Sequence, residues 1–231
     1  ATVLVFSCKK KTNEPLIPAT VTDASGNVYA TVKIGNQVWM KENLKTFRLN
    51  DGTPITEYRS FQPNASTFPW FSTTNPQMLF QWATTFDLNN LHPNDLPFGY
   101  NGAHYNKEAI QSGKLAIPGW RIPTQQDFVV LKNFLATQGH AGNEATVLKS
   151  KTGWVASFGN GTDLFGYDVR PAGNTIINGG PDFEQAIARL ATSDRNTTNT
   201  TRKAASFSNN GTMVFEDLDI RVGLSIRLIK E

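Results

Sequence analysis

Apolar positions along this chain fall into two periods, separated by a long stretch that shows neither. Val28-Tyr29-Ala30-Thr31-Val32-Lys33-Ile34 is rich in β-branched and aromatic residues, and Gly35-Asn36 separates it from Gln37-Val38-Trp39-Met40. Two such runs joined by Gly-Asn predict a hairpin on a type II′ or related turn, because glycine accepts the positive φ. Asp23 to Asn27 supplies turn chemistry just before it, so the folded part opens near Thr20. From Thr124 to about Gln138 the period lengthens to that of a helix, with Phe128, Leu131, Phe134 and Leu135 forming one stripe. Thr124 stands as N-cap, Asp127 sits three residues on as in a capping box, and Gly139 ends the segment. A shorter helix is expected over Glu144 to Ser150. Thr212 to Phe215 and Val222 to Ile229 alternate as strands do, placing Val222, Leu224, Ile226 and Leu228 inward. The Thr- and Asn-rich run Asp194 to Lys203 reads as an exposed loop.

Residues 50–100 are the aperiodic stretch, crowded with turn residues, prolines and aromatics. Asn75 as cap and Pro76 in a first turn predict a short helix that puts Met78, Leu79, Trp82 and Phe86 on one face.

Cys8 is the only cysteine. It closes Val3-Leu4-Val5-Phe6-Ser7-Cys8, an apolar run followed by a small residue and a thiol, which reads as a bacterial lipobox. In that reading residues 1–7 are a signal-peptide remnant, Cys8 carries a diacylglycerol, and residues 8–19 form an extended tether. Residues 20–231 are then a single domain held at the cell envelope by its acyl chains, the outer membrane being the expected site. The alternative for Cys8 is a buried structural thiol. Lys9-Lys10-Lys11 directly after it argues against this, since three adjacent ammonium groups do not continue into a core. No stretch reaches the roughly 18 apolar residues that a membrane span requires.

Charge narrows the partners. The chain of 231 residues carries a formal +3, but without residues 1–18 it holds 19 basic against 18 acidic residues. So neutral a body argues against nucleic acid. One cysteine allows neither an intrachain disulfide nor a cysteine-based zinc site.

Three segments carry a family resemblance. Residues 26–46, from Gly26-Asn27-Val28-Tyr29 through Glu42-Asn43-Leu44-Lys45-Thr46, run on to Asn50-Asp51-Gly52-Thr53-Pro54-Ile55. Gly102-Ala103-His104-Tyr105-Asn106 leads to Gly119-Trp120-Arg121-Ile122-Pro123-Thr124, and Val222-Gly223-Leu224-Ser225-Ile226-Arg227-Leu228-Ile229 closes the chain. Gly166-Tyr167-Asp168-Val169-Arg170-Pro171-Ala172-Gly173 matches a further element. Together they resemble the Fibrobacter succinogenes major paralogous domain, FISUMP, over nearly all of residues 20–231. The resemblance implies an α+β fold of the C-type-lectin-like superfold that also carries formylglycine-generating enzymes: a twisted antiparallel sheet, a few helices and long loops. It also implies that the first hairpin and the last strand lie together, and that a strand covers Ala188 to Thr192 after a short helix or turn. Residues 56–100 depart from the family pattern. So does Ala188-Arg189-Leu190-Ala191, where the family carries an aromatic cluster.

Tests for chemistry are mostly negative. Formylglycine generation needs a cysteine pair that the domain lacks, and no G-x-S-x-G nucleophile motif occurs. His92, His104 and His140 are far apart, without ligand spacing, and read as surface or helix-adjacent side chains rather than metal ligands. Gln62-Pro63-Asn64 resembles part of a lectin calcium motif but lacks its Trp-Asn-Asp partner, and Asn160-Gly161-Thr162-Asp163 offers loop oxygens. No cofactor or metal is expected. Trp70 and Phe71, with Tyr58 nearby, sit in a Pro- and Ser/Thr-rich loop and are the candidate ligand-binding rings, since flat rings stack on sugars and anchor interfaces. Their alternative role is to cover the core beneath that loop. Trp39, Trp120 and Trp154 read as core. The expectation is a non-enzymatic lectin-like module for a glycan or protein ligand. An assembly subunit of a cell-surface complex is the second reading, and a hydrolase the third.

Overall fold

The computed structural model describes residues 19–60, 66–83 and 99–231. The chain begins with β1 (Thr20–Thr22), β2 (Val28–Ile34) and β3 (Gln37–Met40), the last two forming the expected hairpin with Ile34 opposite Gln37. Only Gly35 of the turn pair has positive φ, as a II′ turn requires. A Cβ there would come within 2.9 Å of the Phe134 ring, so the same glycine lets the hairpin lie against the long helix. There follow β4 (Thr56–Glu57), β5 (Leu79–Trp82), β6 (Ala103–Tyr105), α1 (Lys107–Gln111), β7 (Trp120–Arg121), α2 (Gln125–Thr137) and α3 (Glu144–Leu148). The remainder is β8 (Asn174–Thr175), β9 (Pro181–Asp182), β10 (Ala188–Arg195), β11 (Thr201–Phe207), β12 (Val214–Asp219), β13 (Leu224–Ser225) and β14 (Ile229–Lys230). The fold is α+β, dominated by sheet.

α2 matches its sequence signals closely. Thr124 and Asp127 make a reciprocal capping box, and Arg121 forks onto the Asp127 carboxylate at 2.6 and 2.7 Å. Phe128, Leu131 and Leu135 are buried. α3 falls within the second expected helix, and β10 covers the strand expected at 188–192.

Three expectations fail for a shared reason: pairing between distant segments overrides local pattern. The helix expected from Asn75 is instead β5, a strand between β4 and β6. The Leu79 N–H is bonded to Asn106 Oδ1, and Leu79, Phe80 and Gln81 are buried in succession, which no single helical face allows. Phe86 lies outside the described residues. The loop expected over Asp194 to Lys203 shrinks to a turn, because β10 and β11 extend into it and bury Arg202. The closing strand, expected to alternate inward and outward, is buried continuously from Gly223 to Ile229 and divides in two.

That division organises the fold. A seven-stranded mixed sheet runs β12-β11-β10-β13-β6-β5-β4, and a five-stranded sheet runs β1-β2-β3-β14-β7. β13 and β14 each join two blocks of strands, so the last segment is interior to both sheets. Leu224 opposes Tyr105, and Ile229 opposes both Trp39 and Arg121. One core gathers Tyr29, Met40, Leu44, Tyr105, Leu224, Ile226 and Leu228. The other packs Trp39, Phe128, Leu131, Tyr167, Leu190 and Phe207, with the Trp39 ring 5.1 Å from Phe128 and 5.6 Å from Tyr167. The expected core tryptophans Trp39, Trp120 and Trp154 are all buried.

Between the two strands lies Arg227, fully buried. Its guanidinium bonds Asn43 Oδ1 from both Nε (3.2 Å) and one terminal nitrogen (2.9 Å), donates to the Tyr167 carbonyl and reaches the Asp168 carbonyl at 3.1 Å. Its plane sits 4.7 Å from the Tyr167 ring centroid. Among the described residues no carboxylate pairs with it directly; oriented carbonyl and amide dipoles replace its hydration. Removing the donors orphans several buried acceptors, so Arg227→Met is expected to cost about 3–5 kcal/mol in urea unfolding. Arg227→Lys should fare little better, because one ammonium cannot reproduce the fork. A loss under about 1 kcal/mol for Arg227→Met would show that the clamp is dispensable.

Candidate functional site: a polar groove beside a buried aromatic cluster

The rings singled out by sequence lie mostly inside the protein. Trp70 is 1% exposed and Tyr58 8%, so neither presents a face to solvent. Trp70 Nε1 donates to the Arg221 carbonyl at 3.1 Å, and its ring lies against the Cα of Gly223, where no Cβ fits. Tyr58 meets Trp70 edge-on at 5.3 Å and Phe68 at 6.0 Å. Together with Leu79 they form a small core that pins the 66–79 segment to the sheet. Only Phe71 keeps a partly open face, with Lys107 Nζ 5.8 Å and Arg221 5.9 Å from its centroid. Trp70 and Tyr58 thus take the alternative role of covering the core beneath the loop, and Gly223, distant in sequence, provides the slot for the indole.

His104 is likewise not a surface histidine. It stands between Gln81 and Ser225 on neighbouring strands, all three buried. The Thr175 hydroxyl donates to Gln81 Oε1 at 2.9 Å, so it accepts from His104 Nδ1, 3.0 Å away. Burial pushes the imidazole down to about 4, with the Ala172 backbone opposing. His140 is half-buried beside Phe165. Among the described residues no three His, Cys, Asp or Glu side chains converge. Cys8, Gln62-Pro63-Asn64 and His92 lie outside the described residues. The oxygens of the 160–163 loop hold the chain itself: Asn160 Oδ1 accepts from Trp154 N and Asp163 Oδ1 from Asp168 N. Nearby Lys149 donates to the carbonyls of Phe158 and Ser208 over the Trp154 ring, and burial draws its ammonium down to about 8.

A more open arrangement lies beyond β1. The turn after β1, the segment 46–50 and the segment 115–118 enclose a groove of about 190 Å³. This is smaller than the roughly 300 Å³ at which drug-sized sites begin, and fits a group of a few heavy atoms to one small ring. Asp23 forms part of the floor. Its Oδ1 accepts from Ser25 N and Asn27 N, and its Oδ2 from Asn27 Nδ2 and the Tyr29 hydroxyl. Thr46 Oγ1 is engaged with Ser25 Oγ and with both backbone groups of Arg48. Leu115, Ile117 and Pro118 make an apolar wall. Arg48 and Asn50 are exposed at the rim: Arg48 donates to the Gly52 carbonyl at 3.1 Å, and Asn50 Nδ2 to the Ala116 carbonyl at 3.2 Å. Sequence reasoning missed this groove, because its walls come from turns about 70 residues apart along the chain. The one cue was the turn chemistry of Asn50-Asp51-Gly52-Thr53-Pro54.

Two outcomes follow from this arrangement. Trp70→Ala should lower unfolding stability by about 3–5 kcal/mol, the cost of emptying a buried indole site, rather than act on a surface contact; a stability loss within experimental error would return Trp70 to the surface. His104 makes the second. Its folded value lies below the ordinary 6.5, so the unfolded chain takes up protons first as the solution is acidified. Stability should therefore fall between pH 6.5 and 4, by about 3 kcal/mol across the window, and level off below it. Asp127 acts lower down: burial opposes, but Arg121 and Thr124 hold its carboxyl down to about 2, so its contribution is lost only below about 3.8. Urea titrations at stepped pH should show the higher window flattened in His104→Asn; an unchanged slope would remove His104 as its source.

No curated protein and no solved structure matches the chain. The sequence model of the Fibrobacter succinogenes major domain matches residues 32–230, which run from within β2 through β14 and take in the Arg227 clamp and most of the groove. The chain belongs to the Fibrobacter succinogenes major domain family.

Proposed function

We propose that this protein is a non-enzymatic binding module of the bacterial cell envelope, C-type-lectin-like in fold and anchored by lipid at Cys8, whose groove takes a glycan. The observation that carries the reading is the division of labour in the groove. Its buried polar atoms are saturated by the protein, while Arg48, Asn50 and Thr22 stand exposed around an apolar wall. Polar groups at a rim beside a small apolar wall suit a sugar ring, which offers hydroxyls at its edge and C–H groups on its face. The C-type-lectin-like assignment draws support from the pairing of the first hairpin with β14, which brings the two ends of the domain together.

On a glycan array the protein should bind a restricted set of structures, and the signal should fall at least tenfold in Arg48→Ala and in Asn50→Ala. Both side chains are exposed, so their loss leaves the cores intact and unfolding transitions should match the parent. Binding that is indifferent to both substitutions would move the site elsewhere. An array without signal, alongside stable co-purification with envelope proteins, would favour the assembly-subunit reading instead.

A further inference from the structure

Taking the groove as the binding site, we propose that its ligand is acidic: the carboxylate of a uronic acid residue within a polysaccharide, received by Arg48. What remains unfilled in the groove is mostly donor capacity. Asp23, the carboxylate of the floor, already accepts from four donors and is nearly inaccessible. Thr46 has both donated and accepted. Asp51, three residues along from Arg48, is paired instead with Lys114 at 2.7 Å. Arg48 has no acidic partner within 4 Å among the described residues, and of its five N–H groups one bonds the Gly52 carbonyl.

A guanidinium with free N–H groups above a saturated floor favours a planar anion bound through two parallel hydrogen bonds. A neutral sugar would leave that charge unanswered. An acidic peptide fits less well. Among the described residues β1 is the strand at the groove, and its three residues offer too few backbone pairs to seat an added strand. A single uronate matches the size of the space, its ring toward Pro118 and Ile117 and its carboxylate toward Arg48.

The test compares a galacturonate trimer with its carboxyl-reduced neutral counterpart by calorimetry on the full chain. The acidic trimer should bind at least tenfold more tightly, weaken as salt rises from 50 to 500 mM, and lose that advantage in Arg48→Gln. Arg48→Lys, which keeps the charge but not the fork, should retain part of it. Equal affinity for both trimers, or an acidic preference that survives Arg48→Gln, would overturn the inference. If neutral glycans on the array nevertheless bind in a manner dependent on Asn50, the groove reading stands and only its acidic ligand falls. A preference for peptides ending in Asp or Glu over the uronate trimer would also overturn it.

Discussion

The buried guanidinium of Arg227 is the constraint around which the other parts are arranged. A fixed charge enclosed by protein must be met by oriented dipoles, and here those dipoles come from two separate stretches, Asn43 and the carbonyls of Tyr167 and Asp168. Each satisfied bond fixes a loop. Next to Asn43, the Leu44 N–H bonds to the Ile226 carbonyl, and two residues further on the Thr46 carbonyl accepts from the Tyr105 hydroxyl at 2.8 Å. The groove floor is thus tied through the first loop to the same closing segment that carries the arginine. Three of the segments that carry the family resemblance meet at one side chain.

The groups that most resemble catalytic machinery are engaged internally. Lys149 is caged by carbonyls and an indole, His104 sits in a row of buried hydroxyl and amide groups, and Asp163 caps the backbone of its own loop. Each is held by the fold, and Lys149 and His104 are buried. Arg48 and Asn50, by contrast, stand exposed at the groove rim, each with a single side-chain bond to a backbone carbonyl among the described residues.

Local signals told the truth wherever a segment's structure is decided by its neighbours in sequence. The hairpin needed only Gly35 and flanking β-formers, and α2 only its Thr124–Asp127 cap and apolar stripe. Segments decided by distant partners were misread. β5 carries a good helix start at Asn75 and Pro76, yet pairing with β6 and the side chain of Asn106 outweigh it. The closing strand alternates on paper, but no alternation survives when a strand is enclosed on both sides. For Trp70 two roles stood open, a ligand-binding ring or a cover over the core, and it takes the second because Gly223, about 150 residues away, makes its slot. The groove was invisible for the same reason: Arg48 and Asn50 are unremarkable until segment 115–118 folds opposite them.

The joining role of β13 and β14 bears on how such a chain is made. Among the described strands these two come last, yet without them the seven-stranded sheet separates into β12-β11-β10 and β6-β5-β4, and β7 loses its link to the first hairpin. A chain made from front to back therefore cannot complete either sheet until residues 224–230 are free. Until then β12-β11-β10 and β6-β5-β4 stand as separate blocks whose inner edges lack the strand that joins them.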